Sequence, residues 1–192
     1  MKKFLSILIF LIPVFLLAQS RNDDLIHWKE RQKLSWADYQ GKPDPNADAA
    51  ASTATFLGVE YNFKNGNLGY IITCSFSKSK SWGLHKNDYI LAHEQGHFDI
   101  AEIFARRLYR KLKEYNFDKQ NYQTDLRKIY EDITEAKEAM QNQYDLETNH
   151  SINKEKQAEW LEKINRELKR PAGLRWLLTV LLQDNKVQSS NS

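Results

Sequence analysis

The hydrophobic pattern of the chain changes its period once, close to residue 87. Between residues 34 and 82, apolar and polar side chains alternate, which is typical of half-buried strands. The two clearest alternating runs lie on either side of Asn65-Gly66, a pair that is favoured in tight hairpin turns. After residue 87, apolar residues recur every three or four positions, which indicates amphipathic helices. This order predicts an α+β fold, with a small antiparallel β-sheet followed by a helical half.

Three long helices and a shorter one are predicted in the second half of the chain. Asn87 or Asp88 can cap the first helix, because their side-chain oxygens accept hydrogen bonds from free backbone N–H groups. Pro171 and Gly173 break the pattern after the third helix, since neither residue favours a helix interior. The predicted helices run from about Tyr89 to Tyr115, from Asn121 or Thr124 onwards, from about Asn153 to Lys169, and from Leu174 to Leu182.

The first twenty residues differ from everything that follows them. Lys2 and Lys3 precede an apolar run from Phe4 to Leu17, which is the pattern of a secretory signal. The run has about fourteen residues and falls short of the roughly twenty that a spanning helix needs. We therefore predict export to the periplasm or the extracellular space, with no stable membrane span after signal removal. An uncleaved N-terminal anchor is the alternative interpretation.

Composition excludes several classes of protein. The chain has 192 residues, enough for one well-packed domain, and a formal net charge of +3. Loss of Lys2 and Lys3 with the signal leaves a charge of about +1, so no basic nucleic-acid surface is predicted. The single cysteine, Cys74, rules out an intramolecular disulfide framework and a multi-cysteine zinc site. Cys74 lies on the apolar side of its strand, so we interpret it as a core residue.

The chemistry is concentrated in the segment His93-Glu94-Gln95-Gly96-His97. On a helix, histidines four positions apart project to the same side and can bind one metal ion. Neutral imidazoles suit Zn²⁺, and a catalytic zinc keeps one position open for water. Glu94 is then placed to accept a proton from that water. Two histidines that merely pack against the core are the alternative.

A third protein ligand must come from outside this helix. Glu102 lies about 180° from His93 around the helix axis, and pairing with Arg106 four residues later explains it better. We predict His150 as the third ligand, because the second helix turns back there and brings that end beside the metal helix. Asp145 is its main competitor, since its carboxylate is a hard oxygen donor.

The residues just before His150 suggest further roles. Tyr144 could stabilise a developing oxyanion, and Asp145 could orient a ligand histidine through that residue's other ring nitrogen. A packing residue and a helix cap are equally good interpretations of the two. His27 and His85 are interpreted as surface histidines, solvated or hydrogen-bonded.

Four motifs of the chain belong together: Leu34 to Tyr39, Phe76 with Ser81-Trp82, His93 to Glu102, and Tyr144 to His150. In combination they resemble a known family, called domain of unknown function 922 and described as predicted secreted zinc-dependent proteases of bacteria. The resemblance extends from about Leu34 to Trp160, with Ser151 at a position where a glycine is expected. It implies a zincin-like metallopeptidase with the metal-site helix packed on the sheet.

The predicted domain organisation follows from the signal, the resemblance and the polar end of the chain. We predict a signal peptide at 1–18, a single zincin-like metallopeptidase domain at 21–183 and a disordered polar tail at 184–192. The predicted partner is a peptide or protein substrate, and no oligomeric state is predicted.

The resemblance and the residues together predict a secreted zinc-dependent metallopeptidase. Zn²⁺ would be held by His93, His97 and His150, with Glu94 as general base and Tyr144 at the oxyanion. The strand from about Tyr70 to Phe76 could offer its edge to an extended peptide. A zinc-stabilised, non-catalytic cell-envelope binding protein is one alternative. A zinc amidase that acts on a non-protein amide is the other.

Overall fold

The computed structural model describes residues 24–28, 33–43, 46–47, 49–64 and 67–170. The predicted signal peptide, the helix at 174–182 and the polar tail lie outside these residues. The strands are β1 (Leu25–His27), β2 (Ala51–Ser52), β3 (Thr55–Lys64), β4 (Asn67–Ser77) and β5 (Trp82–Gly83). The helices are α1 (Asp88–Glu114), α2 (Tyr122–Thr148) and α3 (Lys154–Lys169), with a short 3₁₀ helix at Trp36–Asp38 before β2.

The strands form two small antiparallel sheets within the described residues. The larger sheet has the order β1-β4-β3, and β2 pairs with β5 in the smaller one. β3 and β4 are in register from Thr55↔Phe76 to Lys64↔Asn67, which is the hairpin that the alternating runs predict. The α+β prediction, with the sheet before the helices, is therefore confirmed.

Local signals set the helix ends. The Asn87 side chain accepts a hydrogen bond from the backbone N–H of Ile90 at 2.9 Å, which confirms the predicted cap of α1. Asn153 caps α3 in the same way, accepting from Lys156 N at 3.2 Å. α2 begins one residue after Asn121. None of the described helices has an apolar stretch long enough to cross a membrane.

Helix α1 is the central element of the fold. It packs against β3 and β4 on one side and against α2 and α3 on the other. Both sides of α1 are therefore buried. Glu102 lies on the far side but is 1% exposed, and the predicted pair with Arg106 is confirmed at 2.8 Å between Oε1 and Nε.

The core lies between the sheet and α1. Phe76 of β4 and Phe98 of α1 are fully buried and in contact, with ring centroids 6.0 Å apart. Cys74 is buried beside them, which confirms its interpretation as a core residue. Burial raises the pKa of the Cys74 thiol well above its usual range, so the sulfur stays protonated.

The turn between α2 and α3 has an unusual backbone. Asn149, His150 and Ser151 all have positive φ, at 48°, 47° and 74°. The first residue ends α2, and the N–H of His150 bonds to the carbonyl of Asp145 at 3.0 Å. Glycine favours this backbone region, which gives a physical reason for the glycine that the family resemblance places at Ser151.

Candidate metal centre

Three side-chain atoms from two helices converge at one point. His93 and His97 lie one turn apart on α1, and their Nε2 atoms are 3.2 Å apart. Asp145, in the last turns of α2, places Oδ1 at 3.0 Å from the first nitrogen and 2.9 Å from the second. Both histidines are buried, and the carboxylate is partly exposed. Among the described residues, this group could hold a metal ion.

The spacing of these atoms fits a tetrahedral zinc site. Ligand atoms about 2.0 Å from a tetrahedral zinc are separated from one another by about 3.3 Å, close to the 2.9–3.2 Å between these three atoms. Three protein ligands of this kind also leave the fourth position free, as in catalytic zinc sites. The donor set of two imidazoles and one carboxylate therefore fits Zn²⁺.

The electrostatics of the group favour a positive charge at its centre. Burial alone disfavours charge on His97, but the hydrogen bond and the attraction to Asp145 outweigh it and raise the pKa of His97. Burial likewise raises the pKa of Asp145, but hydrogen bonds from both histidines hold that pKa well below its usual range. A bound metal ion would supply this charge, because its ligands bind it in their deprotonated forms.

Gln141 fixes the orientation of His97, and the sequence analysis missed it. Its side-chain oxygen accepts a hydrogen bond from His97 Nδ1, and its amide nitrogen donates to the His97 backbone carbonyl at 3.0 Å. The neutral ring therefore carries its lone pair on Nε2, the nitrogen that faces the group. One signal could have found it: Gln141 precedes Asp145 by four residues, so both lie on one face of α2.

Tyr144 lies beneath the two histidines and not in the cleft. It is fully buried, and its ring stacks on His93 with centroids 4.4 Å apart. Its hydroxyl donates to the His93 backbone carbonyl at 3.3 Å. This geometry does not fit the predicted oxyanion role, because the hydroxyl is turned towards the backbone of α1. Instead, the packing interpretation of Tyr144 matches the structure.

Gly96 makes this packing possible. A Cβ atom at that position would lie 2.6 Å from the Tyr144 hydroxyl oxygen, too close for any side chain. The middle glycine of the histidine motif is therefore explained by the close approach of α2 to α1.

His150 lies at the edge of the group. Its Nδ1 is 3.7 Å from Asp145 Oδ1, and its side chain is 48% exposed. Because α2 continues to Thr148, Asp145 lies on the inward face of the helix, and His150 falls in the turn beyond it. The structure therefore brings Asp145 into contact with both histidines and leaves His150 one step away. Its role as third ligand stays a prediction, with Asp145 the better placed of the two.

Glu94 lies beside the group and is held by a hydroxyl from the sheet side. It is 3% exposed, and the Thr53 hydroxyl donates to its Oε2 at 2.6 Å. The Tyr39 hydroxyl lies 2.8 Å from Thr53 Oγ1. Burial, together with the negative charge of Glu94, raises the pKa of Tyr39, so its hydroxyl stays protonated.

The group opens into a cleft of about 330 Å³. Residues 49–53 form one wall of the cleft, and β4 contributes no lining residue. Because β4 lies between β1 and β3 in its sheet, the structure does not bring the predicted strand edge, Tyr70 to Phe76, to the cleft. Nearer the cleft is β2, which pairs with β5. A more apolar groove adjoins the cleft, shares His150 and Ser151 with it, and exposes Leu84 and Ile152.

Residues 73–151 match the model of one protein family, described as "Bacterial protein of unknown function (DUF922)". The match confirms, over this segment, the family resemblance given by the sequence motifs. It includes both histidines of the group, Glu94, Gln141 and Asp145. Searches of curated proteins and of solved structures found no significant match.

Proposed function

We propose that this protein is a zincin-like, zinc-dependent peptidase, in which His93, His97 and Asp145 hold the metal and Glu94 is the general base. The observation that carries the proposal is the convergence of three donor atoms within 3.2 Å of one another beside a separate buried carboxylate. A purely structural site needs the ligands but not the additional carboxylate. Glu94 is therefore the feature that favours catalysis.

Each residue of the site has a defined part in the proposed reaction. Zinc bound here would act as a Lewis acid and would lower the pKa of water in its open position. Glu94 accepts a proton from the attacking water and passes it to the leaving amine nitrogen. Asp145 and the two histidines would hold the metal, and Gln141 would hold His97 in the tautomer that can bind it.

A peptide or protein substrate fits the shape of the site. The cleft is open along residues 49–53, and the adjoining groove offers Leu84 and Ile152 to an apolar side chain. A single extended chain could place its scissile bond at the metal and a neighbouring side chain in the groove. A zinc amidase acting on a non-protein amide uses the same chemistry and is distinguished by its substrate alone.

The non-catalytic alternative has one specific observation in its favour. His150 lies 3.7 Å from Asp145 Oδ1, so a change of its side-chain torsions could add a fourth ligand. A fourth protein ligand would close the site and leave no position for water. The protein would then be a zinc-stabilised binding protein of the cell envelope.

The experiment that separates these functions is Glu94→Gln. The change keeps the size of the side chain and removes the proton acceptor, so we expect full zinc content and a fall in peptide hydrolysis of at least about 100-fold. Zinc is measured by atomic absorption, and hydrolysis by digestion of a peptide library. Glu138→Gln is the matched control, because Glu138 borders the cleft but pairs with Lys137 at 2.8 Å.

Two results would contradict the proposal. Unchanged hydrolysis by Glu94→Gln would show that Glu94 is not the base. A zinc-loaded wild type that cleaves no peptide in the library would favour the binding protein, or the amidase if it releases amines from cell-wall amides.

We also propose that the protein is exported and acts in the periplasm or the extracellular space. The support is the charged and apolar pattern of the first twenty residues. N-terminal sequencing of protein from the producing cells should give a start near Gln19 or Arg21. An intact Met1 in a soluble cytosolic pool would contradict export.

A further inference from the structure

We infer that Thr53 and Tyr39 are positioning residues that hold the Glu94 carboxylate in the orientation needed for proton transfer. The inference rests on the proposed function, since it assigns Glu94 the role of base. It adds two residues that neither the histidine motif nor the family match at 73–151 contains.

The hydrogen-bond chain has a single consistent direction. Thr53 has one hydroxyl proton, and its 2.6 Å contact with Glu94 Oε2 uses that proton, because a carboxylate can only accept. The 2.8 Å contact between Thr53 and Tyr39 must then be filled by the tyrosine proton. The chain therefore runs from Tyr39 to Thr53 to Glu94, and each hydroxyl has its donor role fixed.

The fold holds all three residues of this hydrogen-bond chain in place. Tyr39 is 4% exposed, and its ring packs against Trp36 and Phe76, with centroids 4.9 Å and 5.0 Å away. Thr53 lies between β2 and β3, in the wall of the cleft. Glu94 is on α1, which fixes its backbone. The chain thus joins three separate parts of the fold at the one side chain that must transfer a proton.

The Glu94 side chain needs these hydrogen bonds because it is flexible. Helix α1 fixes the backbone of Glu94 but leaves three side-chain torsions free. A hydrogen bond to Oε2 restricts those torsions and leaves Oε1 available to accept a proton. Because rate depends on holding reacting groups in the correct geometry, loss of the bond should lower kcat more than it raises KM.

The first test replaces the hydroxyl and keeps the shape. Thr53→Val should lower kcat by about 10- to 100-fold, the loss expected for one hydrogen bond to a charged group, with KM within about twofold and zinc content unchanged. Thr53→Ser restores the hydroxyl and should recover most of kcat. Thr134→Val is the matched control, since its hydroxyl bonds only to carbonyls of its own helix, Tyr130 and Glu131. Wild-type kcat in Thr53→Val, or no recovery in Thr53→Ser, would overturn the inference.

The second test does not depend on activity. In crystal structures of zinc-loaded wild type and Thr53→Val, the Glu94 carboxylate should change its rotamer in the variant, and Tyr39→Phe should loosen it less. An unchanged carboxylate in Thr53→Val would overturn the inference, whether or not the wild type cleaves peptides. Failure of the proposed function is separate, because it would show as an inactive wild type.

Discussion

Helix α1 carries two buried polar groups, and they differ in how their charges are balanced. On the face towards α2, His93 and His97 meet Asp145 through three atoms that can all accept a hydrogen bond or bind a metal ion. On the other side, Glu102 pairs with Arg106, whose guanidinium also donates to the Leu168 carbonyl at 2.6 Å. The Glu102–Arg106 pair contains its own positive charge. The group of His93, His97 and Asp145 needs a bound cation to supply one.

This difference shows that burial of polar residues is not by itself a sign of function. Each group contains buried polar residues of α1 (His93 and His97 in one, Glu102 in the other), and each has a spacing of four residues on that helix. A buried pair that supplies opposite charges is satisfied within the protein, whereas converging acceptor atoms need a cation. We therefore expect zinc to stabilise the protein through the group of His93, His97 and Asp145. The Glu102–Arg106 pair should contribute to the free energy of unfolding but not to zinc binding.

The largest effect should come from removing Asp145. If it is the third ligand, Asp145→Ala should weaken zinc binding by well over about 100-fold, beyond the 10- to 100-fold that loss of a supporting residue costs. His150→Ala should cost less, because its ring lies outside the contact with the two histidines. Titration of zinc against a competing chelator measures both. The opposite result would make His150 the ligand and Asp145 its support.

A large effect of another kind is expected at Glu102. Glu102→Ala leaves the largely buried Arg106 without its partner and should lower the free energy of unfolding by about 3 kcal/mol, measured by urea denaturation. Glu162→Ala is the matched control, since the Glu162–Arg166 pair has the same spacing but both side chains are exposed. It should cost less than about 0.5 kcal/mol.

The same experiment also measures how zinc changes the melting temperature of the variants. The increase in melting temperature on addition of zinc should persist in Glu102→Ala and disappear in Asp145→Ala, because a ligand stabilises only the state that binds it. Loss of the zinc response in Glu102→Ala, in a variant that still folds, would contradict the separation of the two groups.

The smallest effect is expected at Gln141. Gln141→Leu removes the acceptor for His97 Nδ1 and should weaken zinc binding by about 10- to 100-fold. Gln143→Leu is its control, because Gln143 bonds to Glu147 on the exposed side of α2. Equal affinities in the two variants would mean that the orientation of His97 does not depend on Gln141.

Features set by local sequence could be predicted. The cap at Asn87 joins residues three positions apart, and β3 and β4 are separated by only the two residues 65 and 66. The burial of Glu102 could not be predicted, because a helical pattern gives the faces of α1 but not the number of elements packed on them. The relative placement of Asp145 and His150 depends on the residue at which α2 ends, and helix ends are poorly fixed by sequence.

The residues that support Glu94 and His97 are harder to predict, for a related reason. Thr53 and Glu94 are 41 positions apart, and Gln141 and His97 are 44 positions apart. Their contacts form only once the sheet and α2 have packed on α1. The four-residue spacing of Gln141 and Asp145 places both on one face of α2, but it does not identify His97 as the partner of Gln141. Tyr39 was noticed as part of a family motif, but its hydrogen bond to Thr53 was not.

The turn at Asn149, His150 and Ser151 stores conformational energy beside the cleft. Three successive non-glycine residues in the left-handed region each carry a conformational cost of about 1–2 kcal/mol. Such strain persists only where surrounding contacts hold the backbone, and Ser151 is itself buried. The packing of α2 and α3 therefore compensates for the cost of placing His150 at the rim of the cleft. Ser151→Gly would relieve part of that strain, because glycine adopts positive φ without a Cβ clash.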